Sequence, residues 1–294
     1  MTDTAKQPAV SAEASQNARK YLTLGATHIV LIIACVVMLY PLLWMLSASC
    51  RPEQEIFTSV SIWPSSCHFD AYVRGWNGLK VGFETFFKNS LVIALLSVVG
   101  NVLSCSMAAY AFARLEFRGR SFWFALMLMT MMLPYQVTLI PQYVLFRHLD
   151  WVNTILPLVV PKFLAADAFF IFLMVQFFRG LPKELDEAAM MDGCSPWRIY
   201  WKIILPLSTP VLATAAIFTF IWTWDDFVGP LIYLSDMRQY TVMLGLRTFT
   251  DSTGISDYGS LFAMSVLSLV PIFAFFLFFQ RLLIEGIATT GMKR

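Results

Sequence analysis

The chain has 294 residues, of which 58% are hydrophobic and only 14% charged, with a formal net charge of +2. So apolar a composition cannot clothe a water-soluble globule, and so small a positive excess gives no electrostatic reason to expect nucleic acid as a partner. A multispanning membrane protein remains, in which the position of each charge matters more than the sum.

Residues 1–20 are polar and rich in Ala, Ser and Gln, with no apolar stretch before Tyr21, and read as a disordered tail. Six apolar runs follow, at 24–47, 89–113, 121–146, 155–178, 203–224 and 258–280. Each can reach across a hydrocarbon core, which takes about 20 helical residues at about 1.5 Å apiece. The first run is longer than the apolar region of a signal peptide and no small-x-small site follows it, so it reads as a retained span. None alternates as a barrel strand would, and only helices then satisfy the backbone in lipid. The sequence predicts an all-α polytopic membrane bundle of six transmembrane helices, with residues 21–284 as the membrane domain and 285–294 as a short tail.

Charge sets the orientation, because loops rich in Lys and Arg stay in the cytoplasm. With alternating spans, Lys6, Arg19 and Lys20, then Arg114, Arg118 and Arg120, then Arg179, Lys183, Arg198 and Lys202, then Arg281, Lys293 and Arg294 share one side. That side is predicted to be cytoplasmic and to hold both termini. The opposite loops spread Arg51, Arg74, Lys80, Lys88, Arg147, Arg238 and Arg247 among Trp63, Trp76 and Trp151, an interfacial aromatic belt. Of five cysteines, only Cys50 and Cys67 share the outer side, the one pair a disulfide could join. A loop of that size beside an embedded bundle has little need of one.

Polar groups inside spans are costly in lipid and turn toward a wet path or toward another helix. They are Asn89, Ser90, Asn101 and Ser104, then Gln136 and Thr138, then Lys162 and Asp167, then Thr219 and Thr223. On an unbroken helix, Lys162 and Asp167 lie about 140° apart and are predicted not to pair, leaving Lys162 to reach the outer interface along its stem. Pro41, Pro134, Pro141, Pro161, Pro206, Pro210 and Pro271 mark kink sites, and Pro206 is the strongest hinge candidate. His28, His68 and His148 lack metal-ligand spacing, and the spans hold no nucleophile elbow or facing carboxylate pair, so no metal and no catalytic residue is expected.

Between the fourth and fifth runs, about 180–202, lies a polar stretch with its own punctuation. Pro182 suits a first helical turn, and Glu184, Asp186 and Glu187 put negative charge at that helix's positive end. Gly193 reverses the chain, and Ser195 with Pro196 restarts it as N-cap and first helical residue. The reading is helix, tight turn, helix: a finger projecting on the aqueous side. Its Glu187-Ala188-Ala189, Asp192-Gly193 and Leu205-Pro206 resemble the cytoplasmic loop of binding-protein-dependent ABC importer permeases of the type I fold. Asn89-Ser90, Trp224-Asp225-Asp226-Phe227 with Gly229-Pro230-Leu231, and the closing 286–293 resemble the carbohydrate branch, the maltose-type permease subunits. The resemblance covers nearly the whole chain after about residue 20.

That resemblance implies a coupling helix seated in a cleft of a separate ATPase. Glu187 would make the charged contact, Ala188 and Ala189 would allow close approach, and Gly193 would permit the turn; an amphipathic connector lying on the membrane is the plainer alternative. No Gly-x-x-x-x-Gly-Lys-Ser/Thr run occurs in the chain, so ATP and Mg would be bound by partner subunits and no cofactor by this one. The implied partners are a second homologous permease, a dimer of ATP-binding subunits, an external solute-binding protein and the bilayer of a bacterial inner membrane. Residues implied for a sugar path are Asn89, Ser90, Asn101, Gln136, Trp222, Trp224 and Asp225, with Phe220 as a further stacking face. Asp225 departs from the Asn frequent in carbohydrate permeases, and Thr289, Thr290 and Met292 from the small residues usual in the tail. The other readings are an ion-gradient-driven secondary transporter and ABC import of a polyol, glycerol phosphate or another small solute.

Overall fold

The computed structural model describes residues 8–59, 61–250 and 256–291, with side chains described between 23 and 282. Regular structure among these residues is entirely helical. In chain order the helices are α1 (Pro8–Ala48), α2 (Asp70–Asn77), α3 (Phe83–Arg114), α4 (Arg120–Thr130), α5 (Tyr135–His148), α6 (Leu156–Val159), α7 (Ala168–Gly180) and α8 (Glu184–Met191). They continue as α9 (Pro196–Ile199), α10 (Leu205–Leu207), α11 (Thr209–Trp224), α12 (Val228–Tyr233), α13 (Val242–Leu246) and α14 (Tyr258–Gly291). A 3₁₀ segment, Val160–Leu164, follows α6, and a π-helical turn, Tyr200–Ile204, joins α9 to α10. The first helix starts inside the expected unstructured tail, and the expected C-terminal tail is helical backbone as far as Gly291. Residues 1–7 and 292–294 of those tails lie outside the described residues.

Four helical stretches are long and apolar enough to span a membrane: Thr23–Ala48, Phe83–Arg114, Leu156–Gly180 and Tyr258–Leu282. Two bent pairs bring the total to six if each counts as one span: α4 with α5, at 98°, and the Pro196–Leu207 stretch with α11, at 77°. Expected straight runs at 121–146 and 203–224 are therefore broken. Pro134 explains the first break: it has no N–H to donate, and it sits in extended backbone as the N-cap of α5. The second falls at Ser208, between Pro206 in α10 and Pro210 in the first turn of α11. Pro41, Pro141 and Pro271 stay within continuous helices.

The run expected at 155–178 is interrupted too. Ala165 takes a left-handed conformation, φ 53°, between the 3₁₀ segment and α7. The interruption overturns the expectation for Lys162 and Asp167, whose side chains pair at 2.8 Å. The helical-wheel angle assumed one regular helix, and the reversal at Ala165 folds the two ends together.

α3 is the axis of the bundle and packs against α7 and α11. In lipid, helices gain little from burying apolar surface, so close approach and hydrogen bonds decide the packing. The buried face of α3 is accordingly small and polar: Ser90, Ala94, Ser97, Gly100, Asn101 and Ser104. It meets α11 at the Asn101–Thr219 hydrogen bond, and a Cβ at Gly100 would come 2.5 Å from the Phe163 ring. Two apolar clusters share this helix. One gathers Tyr110, Phe170, Met174, Phe178 and Tyr200 near its C-terminal end, and the other gathers Phe83, Phe86, Phe220, Trp224 and Phe249 near its start. α14 closes the second cluster, with Phe275 stacked on Phe220 at 4.1 Å. α1 touches α14 through Trp44 and Phe262, and its apolar window is otherwise uncovered by the rest of the chain.

Gly245 shows how tight the second cluster is. A Cβ there would meet the ring of fully buried Phe86 at 2.3 Å, and that ring is boxed by Phe83 and Tyr240. Overpacking costs about 1–3 kcal/mol, against about 1 kcal/mol gained from helix propensity. Gly245→Ala is expected to lower the unfolding temperature by several degrees in a detergent melt; an unchanged or raised midpoint would show that Phe86 has room to move.

The loop after α1 is held by Arg51, which is buried and donates to the Ser47 hydroxyl at 3.2 Å, to the Ser59 carbonyl at 3.1 Å and to the Ser61 carbonyl. Cys50 and Cys67 are both free thiols where two stretches of this loop meet, the His68 amide donating to the Cys50 carbonyl at 2.9 Å. Hydrogen bonding with Cys50 pushes the Cys67 thiol above its ordinary range.

Candidate docking finger and translocation path

The finger forms as its punctuation predicts. α8 begins at Glu184, so Pro182 sits just ahead of the helix rather than within it, while Glu184, Asp186 and Glu187 occupy its first turn. Gly193 takes φ 75°, and the turn is closed by its amide donating to Met190 O at 3.0 Å and the Cys194 amide to Ala189 O at 2.9 Å. Ser195 Oγ accepts from the Arg198 amide at 3.3 Å and Pro196 opens α9, an N-cap with its proline in place.

One face of the finger is built in and the other is free. Ala189, Ile199, Tyr200 and Ile204 are buried in the first cluster. Glu187, Ala188, Asp192 and Pro206 are exposed, and Leu205 is half-buried. Large apolar side chains of the finger are also left uncovered: Met191 is 88% exposed, and Met190, Trp197 and Trp201 are exposed as well. Apolar groups clustered at the polar end of a membrane protein mark an interaction surface. They were missed in the sequence, although Met190-Met191 and Trp197 in an otherwise polar stretch were the available signal. Beside this face opens a cleft of about 630 Å³ lined by Glu187, Lys183, Arg179, Arg120 and Glu116.

The sequence alone makes Asp186 one more helix-dipole charge. It is instead buried and pairs with Arg114, the last residue of α3, at 3.0 Å, the two side chains being 10% and 3% exposed. Burial pushes the Asp186 carboxyl above the ordinary range, Arg114 pulls it down, and Glu187 adds to the rise. The pair fixes the finger and the Arg114–Arg120 turn at one end of the bundle, so two of the Lys/Arg-rich stretches lie together.

The residues expected along a path divide into two groups. Asn89 donates to the Arg238 and Tyr240 carbonyls at 2.8 and 3.0 Å, and Ser90 accepts from the Val242 amide at 2.8 Å. Asn101 donates to Thr219 at 2.7 Å, and the Trp224 indole, 1% exposed, donates to the Ser268 carbonyl at 3.1 Å. These four, with buried Phe220, tie helices and loops to one another. Gln136, Trp222 and Asp225 are exposed, each at or near a helix break, and Trp222 lies against the Phe169 and Phe170 rings. Close by in sequence, Asp226, one residue ahead of the N-cap of α12, accepts from the Gly229 amide at 3.1 Å. A Cβ on Gly229 would strike that carboxylate, which gives the glycine its reason.

Residues 100–288 match the family model described as binding-protein-dependent transport system inner membrane component. The chain belongs to this family. The permease is 34% identical over 283 residues to the probable ABC transporter permease protein YurM of Bacillus subtilis, covering 96% of this chain and 93% of that protein. It is 36% identical to the arabinooligosaccharides transport system permease protein AraQ of Halalkalibacterium halodurans, covering 92% and 95%. It is 34% identical to the trehalose/maltose transport system permease protein MalG of Thermococcus litoralis, covering 89% and 94%. Among solved structures, a chain of a bacterial ABC transporter involved in the import of the acidic polysaccharide alginate superposes with a TM-score of 0.77 at 22% identity, covering 95% of the permease and 99% of that chain. The bent pairs thus belong to a fold that this permease shares with a chain of a solved ABC importer.

Proposed function

We propose that the permease is half of the translocation pore of an ATP-driven importer for a neutral sugar or oligosaccharide. Its finger docks on a dimer of ATP-binding subunits at the cytoplasmic face, a second homologous permease completes the pore, and an external solute-binding protein delivers the cargo. The observation that carries this reading is that Glu187, Ala188, Met191 and Trp197 of the finger are all exposed, at the positively charged end of the bundle. Positive residues remain on the cytoplasmic side, which puts both termini there as well. Relatives named for arabinooligosaccharide and trehalose/maltose transport support a saccharide cargo. Near the helix breaks Asp167, Asp225 and Asp226 stand against one ammonium, Lys162, a balance that favours neutral cargo over a phosphorylated one. The uncovered flank of α1 suits lipid or the second permease. ATP and Mg belong to the partner subunits, and this chain contributes no catalytic step of its own.

The test is reconstitution in liposomes with its ATP-binding subunits, the second permease and a solute-binding protein. Uptake of that protein's sugar is expected only with ATP inside, and only when all components are present. Uptake by the permease alone, driven by a proton or sodium gradient and indifferent to ATP, would establish a secondary transporter instead.

A further inference from the structure

The finger is joined to the bundle by two soft covalent joints. On one side Gly180 has open space around it and leads into Leu181-Pro182. On the other, the π-helical turn Tyr200–Ile204 runs through Pro206 into the 77° bend at Ser208. A lever hinged at both ends transmits little unless something else fixes its angle.

A row of side chains on α3 does so. Ser106, Tyr110 and Arg114 recur at four-residue intervals and therefore line one face of the helix. The hydroxyls of Ser106 and Tyr200 are hydrogen-bonded at 2.8 Å, inside the π-turn. Tyr110 donates to the Pro196 carbonyl at 3.0 Å, at the start of α9. Arg114 donates to the Leu181 carbonyl at 2.9 Å and pairs with Asp186 of α8. Each segment of the finger is thus gripped by one member of the row. Farther along the same helix, Ser104 donates to the Lys162 carbonyl at 2.7 Å and the Cys105 thiol to the Asp167 carbonyl at 3.7 Å. These bonds hold the two sides of the break that carries the Lys162–Asp167 ion pair.

We propose that Ser106, Tyr110 and Arg114 are positioning residues that make finger and α3 move as one body, so that the partner's motion enters the bundle through α3. Ser104 and Cys105 then pass it to the break at 162–167. Movement through the Leu205–Pro206 joint, the route its proline suggests, is secondary. The inference rests on the docking reading above.

The test uses the assembled complex in nanodiscs, with Cys35, Cys50, Cys67 and Cys194 replaced by serine and Trp222→Cys as a reporter. A membrane-impermeant maleimide is the probe, applied with and without ATP and vanadate, and ATP hydrolysis is measured in parallel. Trapping should change labelling of the parent at least fivefold. With Arg114→Met and Asp186→Asn together, which leave no buried charge unpaired, the change should shrink below twofold while hydrolysis stays within twofold of the parent. Tyr110→Phe, which removes one hydroxyl, should weaken the response about twofold. Equal responses in parent and clasp variants overturn the role of α3, as does a response lost only in proportion to assembled complex. A parent that ignores nucleotide, or a Glu187→Lys chain that still assembles and responds, removes the docking reading beneath it.

Discussion

A permease carrying Glu187→Lys and Gly193→Leu should reach the membrane at near-native levels, yet lose solute uptake at least a hundredfold and no longer retain its ATP-binding subunits through purification. Glu187 is exposed, so reversing its charge disturbs no packing within the chain. Its replacement instead turns attraction into repulsion at the contact the finger is proposed to make, and like charges across an interface cost several kcal/mol. Gly193 acts differently. No atom stands within 4 Å of the place a Cβ would take, so a side chain meets no clash there. The cost lies in the backbone, since φ 75° is left-handed and costs an L residue about 1–2 kcal/mol. That is too little to unfold the bundle, but enough to reopen the turn and change the angle between α8 and α9. Immunoblots of membranes, co-purification and uptake check the three parts separately. Normal uptake with the ATPase still bound would sink the docking claim.

The finger was legible because its signals are local. Gly193, Ser195 and Pro196 each constrain the backbone within a turn of themselves, and tertiary contacts had no reason to overrule them. The apolar runs were legible as helix for a similar reason, since lipid permits few alternatives, although three of the six are broken by a bend or a left-handed residue. Two kinds of feature were not. Lys162 and Asp167 were judged on an ideal helix, and one left-handed residue, Ala165, defeats that geometry without leaving a glycine or asparagine to announce it. The Arg114–Asp186 pair joins elements far apart in sequence, and nothing in either neighbourhood names the other. Only the spacing of Ser106, Tyr110 and Arg114, polar groups one turn apart at the end of an apolar run, hinted that this face of α3 had a polar partner. The expected path residues show the same limit: Trp222 and Trp224 are two positions apart on α11, yet one is exposed and the other bonded to α14. Their order in sequence is silent on which side faces a neighbour.

Removing one member of the Lys162–Asp167 pair is the second change expected to be severe. Each side chain is about 30% exposed, at 30% and 31%, so the pair sits at the edge of the bundle's interior rather than sealed within it. Breaking a fully buried pair costs about 3–5 kcal/mol, and a charge placed centrally in a membrane helix costs about 2.5–3.5 kcal/mol on insertion scales. Partial access to water reduces both, leaving about 1–3 kcal/mol for Lys162→Met or Asp167→Asn alone. That corresponds to a fall of roughly 3–10 °C in a detergent melt. The double variant leaves no unpaired ion, and its melting temperature should return most of the way to the parent's. A double variant as unstable as the worse single one would show that the ion pair itself, not an orphaned charge, holds the fold. Uptake separates the two roles further. The pair ties the 3₁₀ segment to the first residue before α7 across the reversal at Ala165, and no other side-chain bond among the described residues spans that reversal directly. The double variant should therefore regain stability without regaining transport, because the break keeps its place in the bundle but loses the strut that would carry movement from α3 across it.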